Sequence, residues 1–351
     1  MHLFTDVSLA PFTTLHLGGH AARLLEIERE HEVCDAIRDA EARGGPLFVL
    51  GGGSNIVVGD DGFPGLVIRM ATRGVDAHRG PGGVVVDVAA GENWDDLVAR
   101  GVDEDWSGIS CLSGIPGLVG ATPIQNVGAY GQEVCGTISM VRAYDRVART
   151  FVDLDASACG FAYRTSIFKR SDRWIVTNVR FVLGSGREEE VRYGELARAL
   201  STSEGSRVSS RIVRDTVITL RRAKGMVLDA NDPESVSVGS FFVNPIVDTT
   251  MLANIAARAG ATPPSFNAGN GRHKVAAAWL VERAGFVKGW GEGRVGVSQK
   301  HTLALVNRGG ATTGELLTLA RAVRDGVDAL FGVTLEPEPV LLGCSWEQRS
   351  L

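Results

Sequence analysis

SGIPGLVGATPIQNVGAYGQEV, residues 113–134, is too rich in glycine and proline for a regular helix or strand, yet too apolar for a solvated linker. A long loop of that composition is packed against something. Glycine allows close backbone approach, Ile115 and Val119 supply apolar contact, and Gln125 and Asn126 carry amides suited to the edge of a flat ring. A mostly apolar lining with few placed polar groups fits a flat heteroaromatic ligand. A packed loop with no ligand has the same composition, so a second signal is needed.

That signal lies upstream. GGGSN (51–55) separates PLFVL (46–50) from IVV (56–58), two short apolar runs that read as strands. Successive N–H groups in a tight glycine turn can cradle phosphate. No Gly-Lys-Ser/Thr follows, which excludes a P-loop. No helix opens after the turn, which excludes the Rossmann fingerprint. Helix-dipole help is therefore absent, and Ser54 and Asn55 must supplement the backbone donors.

Around these loops the N-terminal part alternates strands and helices. Residues 28–43 put Val33, Ala36, Ile37 and Ala40 on one helical face, with Gly44 and Gly45 ending it. GLVIRM (65–70) and GGVVVDVAAG (82–91) read as strands and ENWDDLVARG (92–101) as a short helix; strands return at 138–144 and 174–183. A Ser- and Arg-rich stretch, 200–213, reads as a boundary. Beyond it, KVAAAWLVERAG (274–285) predicts a helix and HTLALVN (301–307) a strand. Thr312 and Glu315 form a capping box for a helix ending near Phe331, so a small α+β domain is expected at about 215–345.

The bulk numbers narrow the function classes. The 351 residues suffice for two or three domains. A formal net charge of -5 gives no general attraction to nucleic acid or anionic membranes, so an anionic ligand must be held by local donors. The five cysteines, Cys34, Cys111, Cys135, Cys159 and Cys344, show no metal-ligand spacing and no disulfide framework. Residues 1–14 are too polar for a signal peptide, and no apolar run approaches the roughly 20 residues of a membrane span. A cytoplasmic protein is expected.

The ordered set TTLHLGGHA (13–21), GGGSNIVVGDDGFPGLVI (51–68), SGIPGLVGATPIQNVGAYGQEV (113–134), YRTSIFK (163–169), GSFFVNP (239–245), KVAAAWLVERAGFVKG (274–289) and LEPEP (335–339) covers nearly the whole chain. It resembles the UDP-N-acetylenolpyruvoylglucosamine reductase family of peptidoglycan synthesis, in its longer type I-like form. The resemblance implies an α+β fold of the vanillyl-alcohol-oxidase (PCMH-like) FAD-binding type. Two FAD subdomains would span 1–75 and 76–213. A substrate domain would span 214–351, its last strand returning to the active site. It further implies noncovalent FAD, NADPH as hydride donor, a UDP-sugar substrate and a monomer.

Carried onto this sequence, the FAD contacts are Gly51, Gly52, Gly53, Ser54, Asn55 and Ile56 in the first loop. In the second they are Ser113, Gly114, Ile115, Pro116, Gly117, Gly120, Ala121, Gln125, Asn126 and Gly128, joined by Arg164. Ser240 matches the family's proton donor, and Arg164 and Glu338 its two other active-site residues, with Glu336 the near competitor of Glu338. A hydroxyl can protonate a strongly basic enolate, and a guanidinium can stabilise the charge that develops. Tyr193 resembles a tyrosine of the longer subtype that closes over the substrate, and Lys224, Asn244 and His301 fall where the family grips the UDP-sugar and NADPH phosphates. Two departures stand out: Val243 replaces a lysine common in relatives, and the segment between Lys224 and Ser240 is longer than in some. The alternative is an FAD-dependent oxidase or dehydrogenase of an alcohol or sugar, against which GSFFVNP and LEPEP speak.

Overall fold

The computed structural model describes residues 1–80 and 82–347. Its contacts divide the chain into two units, one of residues 1–7, 21–52 and 64–222, the other of 8–20, 53–63 and the chain from 223 onward.

The first unit holds two sheets. In the four-stranded sheet the order is His2–Ser8, His20–Ile27, Phe63–Met70, Leu47–Leu50, the last two strands parallel. The helix Glu32–Arg43 lays its expected apolar face, Val33, Ala36, Ile37 and Ala40, against Leu66 and Ile68. Gly44 stops it at φ 68.

The larger sheet runs Thr150–Asp155, Ile138–Asp145, Trp174–Ser185, Gly83–Ala89, Val75–Gly80, antiparallel throughout. Val84, Val86 and Val88 alternate inward from one strand, Val179, Phe181 and Leu183 from its neighbour. The helix Trp94–Asp103 covers this face, with Trp94 5.9 Å from Phe181 between ring centroids. Its N-cap, Asn93, accepts the Asp96 N–H at 3.1 Å.

The Ser- and Arg-rich stretch expected as a boundary is ordered structure. Arg207–Ser209 is a strand, and Ser210–Ala223 is a helix that buries Val213 and Val217 with Cys111 and Tyr130. The amphipathic spacing of Val213 and Val217 is hidden among arginines, so composition alone does not announce the helix.

The second unit gathers Leu280, Val281, Val297, Leu305, Leu316, Val323 and Phe331 into one core. A three-stranded antiparallel sheet has the order Ile246–Asp248, Arg272–Val275, Ser265–Asn267. The 274–285 segment is thus not all helix: Lys274 and Val275 end a strand, and the helix is Ala277–Arg283. Likewise only Leu305–Asn307 of 301–307 is a strand, paired with Val295–Val297. The Thr312–Glu315 capping box is present on Thr313–Phe331. Asp60 adds a carboxylate to that helix N-terminus, accepting from the Thr313 and Gly314 amides at 2.7 and 2.9 Å. Finally, Val340–Leu342 pairs parallel with Ile56–Val58.

Candidate functional site

In the first unit the two glycine loops meet. Gly52 follows the Leu47–Leu50 strand and packs directly on Gly117, where a side chain on Gly52 would separate them. Gly51 faces Ala121, whose methyl would lie 3.4 Å from an added Cβ, and Gly120 rests on Ala90. The 113–134 loop is irregular, as expected, and pinned at many points. The Gly117 carbonyl accepts from Trp94 N–H at 3.1 Å and Val119 N–H donates to the Glu92 carbonyl at 2.9 Å. Ser113 is fully buried and donates to the Ser110 carbonyl at 2.6 Å. Ile115 packs on the core of the larger sheet, while Pro116 and Gln125 are half-buried.

Two carboxylates hold the loop that the sequence reading did not single out. Asp95 accepts the Gly114 N–H at 2.6 Å and takes a two-pronged contact from Arg214 at 2.6 and 2.9 Å. Burial works against the Asp95 charge, yet Arg214 and the Gly114 amide hold its pKa below the usual 3.8. Glu189, 4% exposed, accepts from the Gly108 amide and from the amide and hydroxyl of Ser110. Its other oxygen accepts from Gln132 at 2.8 Å, and Gln132 in turn accepts the Cys111 N–H. Both ends of the loop are therefore tied to one buried carboxylate. The middle member of a Glu188–Glu190 run gives no sequence sign of this.

Asn126 departs from the expectation of a ring-edge donor. Its amide nitrogen donates to Glu133 at 2.9 Å and to the Ala162 carbonyl at 3.2 Å, and its oxygen accepts the Cys135 N–H at 3.1 Å. The residue is fully buried with φ 46, so the side chain faces the protein. Arg164 lies alongside. Its guanidinium donates to the Gly128 carbonyl at 2.7 Å and reaches the Asn126 carbonyl at 3.5 Å. Arg164 has φ 53, a left-handed conformation that costs a non-glycine residue about 1–3 kcal/mol. The neighbouring structure thus fixes where its charge stands.

Tyr193 sits at the N-cap of Gly194–Ala199, its ring edge-on to Tyr130 at 5.8 Å between centroids. Burial raises the pKa of both phenols, that of Tyr130 to about 12. Behind them lies Arg221, whose desolvation lowers its pKa to about 10.

In the second unit the remaining residues converge on one short bridge. Gly53 has φ 65, and a Cβ there would fall 1.8 Å from the Phe12 carbonyl oxygen, so only glycine fits. Asn55 then ties the glycine turn to the chain end: its side chain donates to the Glu338 carbonyl at 3.4 Å, and its own carbonyl accepts from Val340 N–H at 3.0 Å. Ile56 starts the parallel pair. Ser240 bridges Ala304, Phe242 bridges Pro337, and Glu338 N–H donates to the Phe241 carbonyl at 2.8 Å. Ser240 and Glu338, 98 residues apart in sequence, are thus brought onto adjacent backbone.

The other second-unit positions are more dispersed. Asn244 accepts the Ala277 N–H at 2.9 Å and so caps the Ala277–Arg283 helix. Lys224 is half-buried just beyond the Ser210–Ala223 helix. His301 is in a turn, not on a strand edge; its Nδ1 accepts from Leu303 N–H at 3.0 Å. The longer segment before Ser240 grips that turn. Glu234 accepts from the Gln299 amide at 2.7 Å and Asp232 pairs with Lys300 at 2.7 Å. No His, Cys, Asp and Glu grouping suited to a metal ion occurs among the described residues.

Two known families match the chain, one in its N-terminal and one in its C-terminal part. Residues 21–148 match the FAD binding domain family, and residues 232–342 match "UDP-N-acetylenolpyruvoylglucosamine reductase, C-terminal domain". The UDP-N-acetylenolpyruvoylglucosamine reductase of Thermobifida fusca is 53% identical over 96% of this chain and 97% of its own. That of Streptomyces coelicolor is 51% identical over 96% of this chain and 90% of its own. A crystal structure of the Thermus caldophilus reductase is similar with TM-score 0.66 at 24% identity, covering 97% of this chain and 98% of that one.

Proposed function

The chain belongs to the UDP-N-acetylenolpyruvoylglucosamine reductase family, and from that premise we propose that Ser240, Arg164 and Glu338 carry out its chemistry. The reaction is the NADPH-dependent reduction of UDP-N-acetylglucosamine enolpyruvate to UDP-N-acetylmuramate, a step in making peptidoglycan precursors. The fold is the α+β FAD-binding fold with a C-terminal substrate domain. Bound FAD supplies the means of taking hydride from NADPH and passing it to C3 of the enolpyruvyl group.

The residues present suit FAD. The Gly52–Gly117 contact leaves both turns bare of side chains, and Gly53 permits a backbone course no other residue could follow. Gly51 to Ile56 would hold the diphosphate end, and the 113–128 loop with Gln125 would lie along the ring. Asn126 would act by fixing that loop. Two separate cores, one about Leu66 and Ile68 and one about Phe181, support a bipartite FAD portion divided as 1–75 and 76–213, with 214–351 for the substrate. The last four positions of that range lie outside the described residues.

The protein groups then have distinct tasks. Hydride arrival at C3 leaves negative charge at C2 and on the carboxylate. Ser240 delivers its hydroxyl proton to C2, a general-acid contribution of roughly 10²–10⁴-fold. Glu338, on the adjacent backbone, assists or replenishes that proton. Arg164 offsets the developing charge, its guanidinium held by the Gly128 carbonyl. Tyr193, Lys224, Asn244 and His301 bind the UDP-sugar and the NADPH phosphates, one ligand after the other. The observation that carries this reading is the Glu338 N–H to Phe241 carbonyl bond, which seats Glu338 beside Ser240.

The same reading has the enzyme working as a monomer in the cytoplasm. It is supported by the net charge of -5 and by the lack, among the described residues, of any helix long and apolar enough to cross a membrane.

The test is the visible spectrum of the purified protein under anaerobic conditions. NADPH should bleach the flavin band, and the enolpyruvyl UDP-sugar should restore it. Bleaching without recovery would discard the substrate assignment. A protein with no flavin band after FAD reconstitution would discard the reading of both loops.

A further inference from the structure

The segment beyond Val340–Leu342 is held from two sides. From the helix Thr313–Phe331, Arg321 donates through Nε to the Trp346 carbonyl at 3.0 Å and through Nη2 to the Ser345 carbonyl at 2.9 Å. One turn on, Arg324 lays its guanidinium 5.0 Å from the centroid of the Trp346 indole. The indole also meets Phe241 and Phe242, each 6.2 Å away between centroids. Those two rings are fully buried and 5.1 Å apart.

Phe241 is also a fixed point of the Ser240–Glu338 bridge. Its N–H donates to the Leu303 carbonyl at 2.8 Å and its carbonyl accepts from Glu338 N–H at 2.8 Å. Ser240 is its immediate neighbour, preceded by Gly239 at φ 73, whose N–H rests on the Ser237 hydroxyl at 3.1 Å. Glycine on one side leaves the Ser240 backbone little stiffness of its own. Its bridge to Ala304 and the aromatic side chains on the other side supply it, and those rings are buttressed by the indole.

We propose that Trp346 is a positioning residue for proton delivery, setting the placement of Ser240 and Glu338 through the Phe241–Phe242 pair, with Arg324 and Arg321 holding the indole in place. The proposal rests on the reading of Ser240 as proton donor. Misplacement by about 1 Å at a reacting group is enough to cost up to 10²-fold in rate. It acts only where the proton is used, so the hydride transfer from NADPH is untouched.

The experiment follows the two half-reactions of the FAD-loaded enzyme by stopped flow. Trp346→Ala is expected to slow flavin reoxidation by the enolpyruvyl UDP-sugar about tenfold and to leave reduction by NADPH within about twofold of wild type. Trp346→Phe, which keeps an aromatic buttress, should recover most of the rate. Arg324→Gln should give a milder slowing of about two- to fivefold, the low end of the range for a cation–π contact. Equal slowing of both half-reactions in Trp346→Ala, or Trp346→Phe as slow as Trp346→Ala, would overturn the positioning role. Ser240→Ala in the same assay separates the two claims. Wild-type reoxidation in that variant discards the proton-donor reading itself. Slow reoxidation in Ser240→Ala with wild-type reoxidation in Trp346→Ala overturns only the role of Trp346.

Discussion

A methyl group added to Gly52 would stand 2.6 Å from the Cα of Gly117. Carbon atoms in ordinary contact are about 3.5–4.0 Å apart, so the loops at 51–55 and 113–134 can keep their spacing only while this position has no side chain. Gly52→Ala is expected to weaken FAD binding at least tenfold, with a modest fall in stability. Flavin retained after gel filtration checks it; full retention would show that the loops tolerate separation.

The Arg164 guanidinium is held by carbonyls of the second loop, and its proposed task is to offset the charge that develops during reduction. Lysine keeps the charge but loses the planar fork that reaches the Gly128 and Asn126 carbonyls together. Arg164→Lys should lower kcat about 10²-fold, the order seen on removing one preorganised donor. A KM change with kcat intact would instead make Arg164 a binding residue.

Asp95 brings a pH dependence whose sign is set by its lowered pKa. A carboxylate with a folded pKa below the unfolded 3.8 adds stability that is fully present above that value. The contribution drains away as pH falls through the lower folded value. Asp95→Asn should therefore cost about 1.5–3 kcal/mol near neutrality, as for a hydrogen bond to a charged group. The difference from wild type should shrink as the solution is acidified below the ordinary aspartate range. Urea titrations at several pH values measure it, and a pH-independent difference would refute the linkage.

Thr312 serves as a control remote from the chemistry. Its hydroxyl accepts the Glu315 N–H at 3.2 Å and Glu315 returns the bond to the Thr312 N–H at 2.7 Å. Thr312→Ala should destabilise the protein by about 1 kcal/mol with both half-reaction rates unchanged. Chemical denaturation and stopped flow together test this.

What sequence reading captured was mostly local. The Glu32–Arg43 and Thr313–Phe331 helices carry their stop and start signals within a turn of their ends. The two glycine loops stood out because their composition fits no regular element. What it missed depends on partners far along the chain. Glu189 looks like any acidic residue until the fold brings Ser110 and Gln132 to it. Asn126 has the chemistry of a ring-edge donor, and only packing reveals that Glu133, Ala162 and Cys135 occupy its amide. The Ser210–Ala223 helix escaped because arginines interrupt its apolar stripe, two of them serving Asp95 and the Tyr130 side. His301 reads as a strand residue because Leu303, Ala304, Leu305 and Val306 follow it closely, whereas a turn intervenes.

The parallel pairing of Ile56–Val58 with Val340–Leu342 has a consequence for how the chain is made. The two strands are 284 residues apart, so the earlier one leaves the ribosome long before its partner exists. At about 5–20 residues per second, the wait is roughly 14–57 s. Through that interval the Ser54 and Asn55 turn lacks the neighbour that anchors it, while the first unit already has both of its sheets encoded. Completion of the turn at Ser54 and Asn55 thereby waits for the synthesis of residues 340–342, and a nascent chain stopped short of residue 340 would carry that turn without its anchor.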